Sequence, residues 1–196
     1  MKILFLGPYD SDIIPWIKSQ EKEVIISDKK INLNFVKENK IDFIICYKYR
    51  FIIHKDLIFY LNNKIINLHI SFLPWNRGAD PNIWSFIDNT PKGVSIHLIN
   101  EGLDKGDILV QKEVFFDLNN ETLRSSYDKL NQIIKELLKK NWNDIKSNRI
   151  KPKKQKGKGS YHKISDLLKH KKMLSDLSWE TNLKLLSNIR NENSGI

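Results

Sequence analysis

The chain has 196 residues, of which 40% are hydrophobic, and this is enough for one domain with a substantial core. A single cysteine, Cys46, lies within the apolar run IDFIICY, so the composition excludes a disulfide framework and a cysteine metal cluster, and we expect no metal. No apolar run reaches the length of about eighteen residues that a membrane span needs, and the start MKILFLGPYDSD is too briefly apolar for a secretory signal. We therefore expect a cytoplasmic protein that does not contact the membrane.

The formal net charge of +10 is concentrated in one segment of the chain. Residues 146–163, KSNRIKPKKQKGKGSYHK, contain eight Lys or Arg residues and no Asp or Glu, and the remainder is close to neutral. A charge that is local to one segment is a weak indication of a nucleic-acid-binding fold, so we do not expect nucleic acid as the main partner. The basic segment alone leaves an RNA-binding role open as an alternative.

Short apolar runs alternate with helical patterns in the first third of the chain. Repeated strand-then-helix units predict a parallel sheet with helices on both faces. Pro15 fits the first predicted helix only if it lies in the first turn. The predicted strands are 2–7, 23–27, 42–47 and 64–70, and the predicted helices are 10–20, 31–39 and 55–61.

The second half of the chain departs from this alternation. Two further strands, 93–99 and 107–116, are joined by the turn NEGLDKG, and a long amphipathic helix over 120–145 begins at the capping-type Asn120. A Lys-, Pro- and Gly-rich loop or arm over 151–160 precedes two candidate helices, 163–174 and 178–190. We therefore predict an α/β domain over residues 1–150, followed by a basic arm and helical tail over residues 151–196.

Polar residues lie at the carboxyl end of the fourth predicted strand, which is where an open parallel sheet binds its ligands. Asn67 and His69 lie at the end of this strand, and Asp104 in the later turn can return to the same crevice. An Asn can donate to an oxyanion, a His can transfer a proton near neutral pH, and an Asp can hold the His, so the three suit acyl transfer. Each residue also has an ordinary interpretation as a turn or core residue, and the pattern alone does not identify a reaction.

The motifs around these residues resemble a known enzyme family. NLHISFLPWNRGADPNIWSF (67–86) followed by TPKGVSIHLINEGLDKGDILVQKEV (90–114) is similar to the formyltransferases that use N10-formyltetrahydrofolate. The resemblance is specific between about residues 64 and 115 and implies a Rossmann-like formyltransferase fold. It implies that Asn67 and His69 stabilise an oxyanion and that Asp104 supports His69 and relays a proton.

The same resemblance implies a folate site in two loops. In this family the pterin is bound by the loop after the third strand and by the loop that carries the catalytic Asp. His97 also matches a family position, but in the middle of a strand we expect it to be structural. The predicted folate-contacting residues are Arg50, Phe51, Ile52, Asn100, Glu101, Gly102 and Leu103.

The segment LPWNRGADPNIWSF (73–86), called the acceptor loop below, and the segment GSYHKISD (159–166) resemble those of bacterial sugar-nucleotide N-formyltransferases. These enzymes formylate an amino group on a dideoxy sugar of surface polysaccharide (O-antigen or capsule) precursors. The predicted partner is then a nucleotide-linked amino sugar, and the C-terminal helices serve either as a homodimer surface or in packing within the chain. A methionyl-tRNA formyltransferase-like enzyme, a formyltetrahydrofolate hydrolase and a binding protein without turnover remain alternatives. The predicted acceptor-binding residues are Trp75, Asn76, Arg77, Gly78 and Tyr161.

Overall fold

Strands and helices alternate along the first 69 residues, as the hydrophobic pattern predicts. The computed structural model describes residues 1–169 and 177–193. The strands here are β1 (Lys2–Leu6), β2 (Glu23–Ser27), β3 (Phe43–Tyr47) and β4 (Ile65–His69), and the helices are α1 (Ile14–Gln20), α2 (Leu33–Glu38) and α3 (Lys55–Leu61). The pairs β1–β2, β1–β3 and β3–β4 are all parallel.

The remaining elements are less regular, and two of the strands contain only two residues each. The larger sheet has the strand order β2-β1-β3-β4-β6-β7, while β5 pairs with β8 in a parallel ladder of its own. Part of the predicted helix 163–174 and the last residues of the chain lie outside the described residues. The elements are β5 (Arg77–Gly78), α4 (Pro81–Ile87), β6 (Gly93–Leu98), β7 (Ile108–Glu113), α5 (Leu123–Lys146), β8 (Tyr161–His162), α6 (Ile164–Lys169) and α7 (Leu183–Asn193).

The chain folds into two units, and it passes from one unit to the other within β6, within β7 and within α5. The first unit comprises Met1–His69, Ile96–Val110 and Leu137–Lys154. The second unit comprises Ile70–Ser95, Gln111–Glu136 and the chain from Gln155 onward. None of the helices within residues 1–169 and 177–193 is long and apolar enough to cross a membrane.

The core of the first unit follows from strand β3, in which all five residues are buried. Alternate side chains of a strand point to opposite faces, so Ile44 and Cys46 face one way and pack with residues of α2 and α3. Phe43 faces the other way, where its ring meets Trp142 of α5 edge-on at 5.3 Å between centroids. Helices therefore cover both faces of this mostly parallel sheet, and the predicted α/β fold is confirmed.

Two helix starts test the sequence prediction at residue level. Pro15 lies in the first turn of α1, where its missing N–H is not needed, as predicted. The prediction of Asn120 as the cap of the long helix is wrong, because its side chain donates to Asp117. Helix α5 begins three residues later, and Thr122 and Ser125 cap it reciprocally through side chain and backbone.

The second unit has a hydrophobic core of its own between α4 and α7. Both helices contribute side chains that are at least nine-tenths buried, and together these residues form one cluster. Its buried members are Trp84, Phe86, Ile87, Leu183, Leu186 and Ile189. This cluster gives the C-terminal helix a packing role within the chain.

Candidate active site at the carboxyl end of strand β4

Four polar side chains of the first unit converge where β4 and β6 end. Asn67 Nδ2 lies 3.3 Å from Asp104 Oδ1 and 3.3 Å from His97 Nε2. His69 Nε2 lies 3.8 Å from the other carboxylate oxygen of Asp104. The structure thus brings together the three predicted catalytic residues, although they are separated by up to 37 positions in the chain.

The Asp104 carboxylate is the centre of this cluster. One oxygen faces Asn67 and His97, whose Nε2 is 3.5 Å away, and the other faces His69. The side chains of Asp104 and His69 are both only 9% exposed. In such a poorly solvated place a charge near the carboxylate interacts with it more strongly than it would in water.

His97 takes part in the cluster rather than only filling the core. Its Nδ1 lies 2.8 Å from the Leu98 carbonyl oxygen, which can only accept, so Nδ1 carries a proton. Nε2 is then the nitrogen that faces Asn67 and Asp104. The His97 ring also stands perpendicular to that of His69, at 6.1 Å between centroids. We expected a structural residue here because a buried mid-strand histidine usually is one, and the sequence did not indicate its contacts with Asn67 and Asp104.

Gly106 explains how the turn delivers Asp104 to the cluster. A Cβ atom on Gly106 would overlap the Leu98 carbonyl group, so only glycine permits this approach of the two backbones. Asp104 itself adopts a left-handed conformation, with φ of 50°, which Asp tolerates better than most residues. The Asp-Lys-Gly turn therefore places a carboxylate against the strand it has just left.

The two predicted folate loops belong to the same unit and share its core. Tyr49 and Ile53 of the loop after β3 and Ile99 after β6 all pack on the cluster beneath β3 and β4. Between these anchors the loops expose apolar side chains, and Ile52 is 82% exposed. Exposed apolar groups beside backbone N–H and C=O groups suit a flat heterocycle such as a pterin. The exposed apolar residues are Phe51, Ile52 and Leu103.

The predicted acceptor residues all lie in the second unit. Asn76 is completely buried, and its side chain bonds Thr90 and Ser160, so its visible role is to hold the loop. Arg77 and Gly78 form β5 and pair with β8, which contains the half-exposed Tyr161. Trp75 is partly exposed in the preceding turn.

His162 makes contacts that the sequence did not indicate. Its ring stacks on Trp84 at 4.0 Å with an interplanar angle of 5°. Its Nε2 lies 2.9 Å from Asp88 Oδ2, an ion-pair distance, without the alignment of a hydrogen bond. These contacts tie β8 to α4, so they argue for an anchoring role.

Comparison with known proteins agrees with the chemistry of the cluster. The family model described as formyl transferase matches residues 19–141. The formyltransferase PseJ from Anoxybacillus kamchatkensis, solved in complex with UDP-4,6-dideoxy-4-formamido-L-AltNAc and tetrahydrofolate, is 43% identical to this chain. Its TM-score is 0.90, and the match covers 97% of this chain and 100% of that chain. A sugar N-formyltransferase from a Shewanella species is 25% identical, with a TM-score of 0.73 over 97% of this chain and 86% of that one.

Curated relatives in sequence are methionyl-tRNA formyltransferases. That of Clostridium tetani is 31% identical over 84% of this chain and 52% of its own length, and that of Thermodesulfovibrio yellowstonii is 37% identical over 65% and 42%. The chain thus spans about half the length of the curated relatives it matches. The family-model match includes Asn67, His69 and Asp104 and covers well over half of the sequence. The predicted family is confirmed: the chain belongs to the formyl transferase family.

Proposed function

We propose that this chain transfers the formyl group of N10-formyltetrahydrofolate to the amino group of a UDP-linked 4-amino-4,6-dideoxy sugar. The observation that carries the proposal is the 43% identity, over nearly the whole of both chains, to a formyltransferase solved with the formylated form of such a sugar and with tetrahydrofolate. The product would be a precursor of surface polysaccharide, such as O-antigen or capsule. We place the reaction in the cytoplasm because both proposed substrates are charged and do not cross a bilayer unaided.

Asn67, His69 and Asp104 supply the catalytic groups in this proposal. Bound N10-formyltetrahydrofolate supplies the formyl carbon to which the acceptor amine adds. Asn67 Nδ2 and protonated His69 donate to the formyl oxygen as it gains negative charge. Asp104 holds His69 and helps to move the amine proton, which ends on the folate nitrogen that leaves.

The contact lengths in the cluster are compatible with these roles. Both contacts of Asn67 Nδ2 are 3.3 Å long, at the weak end of the hydrogen-bond range. A substrate oxygen can therefore replace one of them at little cost, and such contacts commonly shorten when a substrate binds. Loss of the Asn67 donor should lower kcat about a hundred- to a thousandfold.

The folate and the acceptor would use different parts of the chain. The pterin would lie against the backbone of residues 50–52 and 100–103 and against their exposed apolar side chains. None of these residues buries an unpaired charge, which would disfavour a neutral ring. We assign the sugar nucleotide to Trp75, Arg77, Gly78 and Tyr161. Arg77 supports this assignment because a guanidinium recognises phosphate oxygens in a fixed geometry. Asn76 stays in the proposal only as the residue that holds this loop.

A formyl-transfer assay with a panel of acceptors tests the proposal. The panel contains UDP-4-amino-4,6-dideoxy-L-AltNAc, dTDP-linked 3-amino and 4-amino dideoxy sugars, methionyl-tRNA, glycinamide ribonucleotide and a sample without acceptor. We expect the UDP sugar to gain one formyl group by mass spectrometry and tetrahydrofolate to form in equal amount. His69→Ala should abolish transfer, whereas His54→Ala, which changes an exposed histidine of the same unit, should not.

A methionyl-tRNA formyltransferase-like activity is the second candidate, because the curated relatives carry that name. Transfer to methionyl-tRNA with none to any sugar would favour it over the first proposal. Formate release that does not depend on any acceptor would instead indicate a hydrolase.

A further inference from the structure

The guanidinium of Arg77 is oriented by a residue from the basic segment. Arg77 Nε and Nη2 donate to the same oxygen, Gln155 Oε1, at 3.0 and 2.8 Å. Arg77 Nη1 also faces the Lys158 carbonyl oxygen at 3.4 Å. Two bonds that converge on one acceptor oxygen hold the edge of the guanidinium that carries Nε and Nη2 toward Gln155.

Backbone pairing fixes the segment that carries Gln155 against the acceptor loop. Arg77 N–H donates to the Ser160 carbonyl at 3.0 Å, and Ala79 N–H donates to the His162 carbonyl at 2.9 Å. Gly78 permits this ladder, since its φ is 88° and a Cβ there would overlap the His162 carbonyl oxygen. The stretch 155–162, which includes the end of the predicted loop or arm over 151–160, is therefore bonded through its backbone to the segment that carries Arg77.

The chemical nature of Gln155 is informative. A carboxylate at this position would hold the guanidinium equally well but would cancel its charge. The amide oxygen holds the guanidinium without adding a negative charge of its own. The neighbouring lysines of the same unit add to this charge, because Lys156 and Lys158 are exposed and make no ion pair with any residue that the structure describes.

We infer that Gln155 is a positioning residue, which orients Arg77 toward the diphosphate of the acceptor without neutralising it. The inference rests on the proposed function and adds a residue, and a specificity for anionic acceptors, that the sequence comparisons do not give. Gln155 acts through Arg77 and does not itself need to contact the substrate. The inference requires the charge of the side chain at position 155 to matter, which a purely structural role does not.

Gln155→Glu separates the two roles, because glutamate keeps the shape and the acceptor atoms and adds a negative charge. We expect the KM for the UDP-amino sugar, and the Kd for UDP in calorimetry, to rise about ten- to a hundredfold. The kcat and the KM for N10-formyltetrahydrofolate should stay within about threefold, since the lost interaction is ground-state binding of one substrate. The melting temperature should not fall, because the introduced carboxylate can still pair with Arg77.

The controls decide whether the effect passes through Arg77. Gln20→Glu makes the same change at an exposed position of helix α1 and should leave both KM values unchanged. In an Arg77→Gln background, Gln155→Glu should add less than about twofold to the KM of the sugar. Gln155→Leu, which lacks the acceptor oxygen, should also raise the KM of the sugar. If one of the two variants at position 155 fails to fold, the other still tests the inference.

The outcomes are distinct. A wild-type chain that formylates the UDP sugar, with Gln155→Glu indistinguishable from it in KM and Kd, overturns the positioning role and leaves the proposed function standing. An equal effect of Gln155→Glu with and without Arg77 overturns it as well. A wild-type chain that neither formylates the UDP sugar nor binds UDP removes the proposed function, and the inference that rests on it falls too.

Discussion

Asp104→Asn is the sharpest test of the cluster at the end of β4. Asparagine has the same shape and tolerates the left-handed backbone at this position, so we expect the fold to be kept. The change removes a negative charge that lies 3.8 Å from His69 Nε2. An ion pair at about 4 Å in an effective dielectric of about 20 is worth about 4 kcal/mol. If His69 is charged in the transition state, kcat should fall about a thousandfold.

Single-turnover transfer with saturating substrates measures this loss directly, without a contribution from product release. Asp107→Asn is a matched control, because it makes the same change three residues along and Asp107 forms no ion pair within the described part of the chain. We expect Asp107→Asn to retain most of the activity. A kcat for Asp104→Asn above one tenth of the wild-type value would refute the role of Asp104 as the partner of a charged His69.

Three further predictions concern the framework of the first unit. Burial raises the pKa of the Cys46 thiol. The stability that the buried neutral thiol contributes is therefore full below about pH 8.5, the pKa of an unfolded thiol, and is lost as the pH rises above that value. Cys46→Ala should make the fall in melting temperature at alkaline pH less steep. Gly106→Ala should reduce kcat more than about a hundredfold, because the Cβ of the alanine would displace the turn that carries Asp104 from Leu98. Circular dichroism should show that most of the secondary structure is kept. Glu21→Ala should lower the free energy of unfolding in urea by about 1–3 kcal/mol, because the buried indole N–H of Trp142 loses its acceptor, and no change would contradict the pairing.

The sequence predicted the first 69 residues well because their elements have a simple physical cause. Central parallel strands are buried on both faces and read as continuous apolar runs, as β3 does, and Pro15 limits where α1 begins. The helix cap was harder to predict. Asn120 and Thr122 are both capping types, and the choice depends on Asp117, which engages Asn120 before the helix starts.

Other features had no local signal in the sequence. The strands β5 and β8 contain two residues each and so have no periodicity, and they exist because the two segments pair after the chain has folded. The role of His97 depends on the distance of its Nε2 from Asp104, which is a property of the tertiary structure. The end of the predicted strand β4 and the later turn already indicated Asn67, His69 and Asp104 as candidates, and the family resemblance added the roles that a physical pattern alone does not identify.

The basic segment also shows how composition can mislead about a partner. Two of its eight cations are neutralised locally, since Lys146 pairs with Glu21 and Arg149 with Asp144. Backbone pairs then fix the segment at Lys153 and again beside β8. Long nucleic acids reward many cations spread over a wide surface, whereas a diphosphate needs a few cations held in one place. A short stretch with lysines that is fixed beside an oriented arginine meets the second requirement better than the first, and this favours a nucleotide sugar over tRNA as the acceptor.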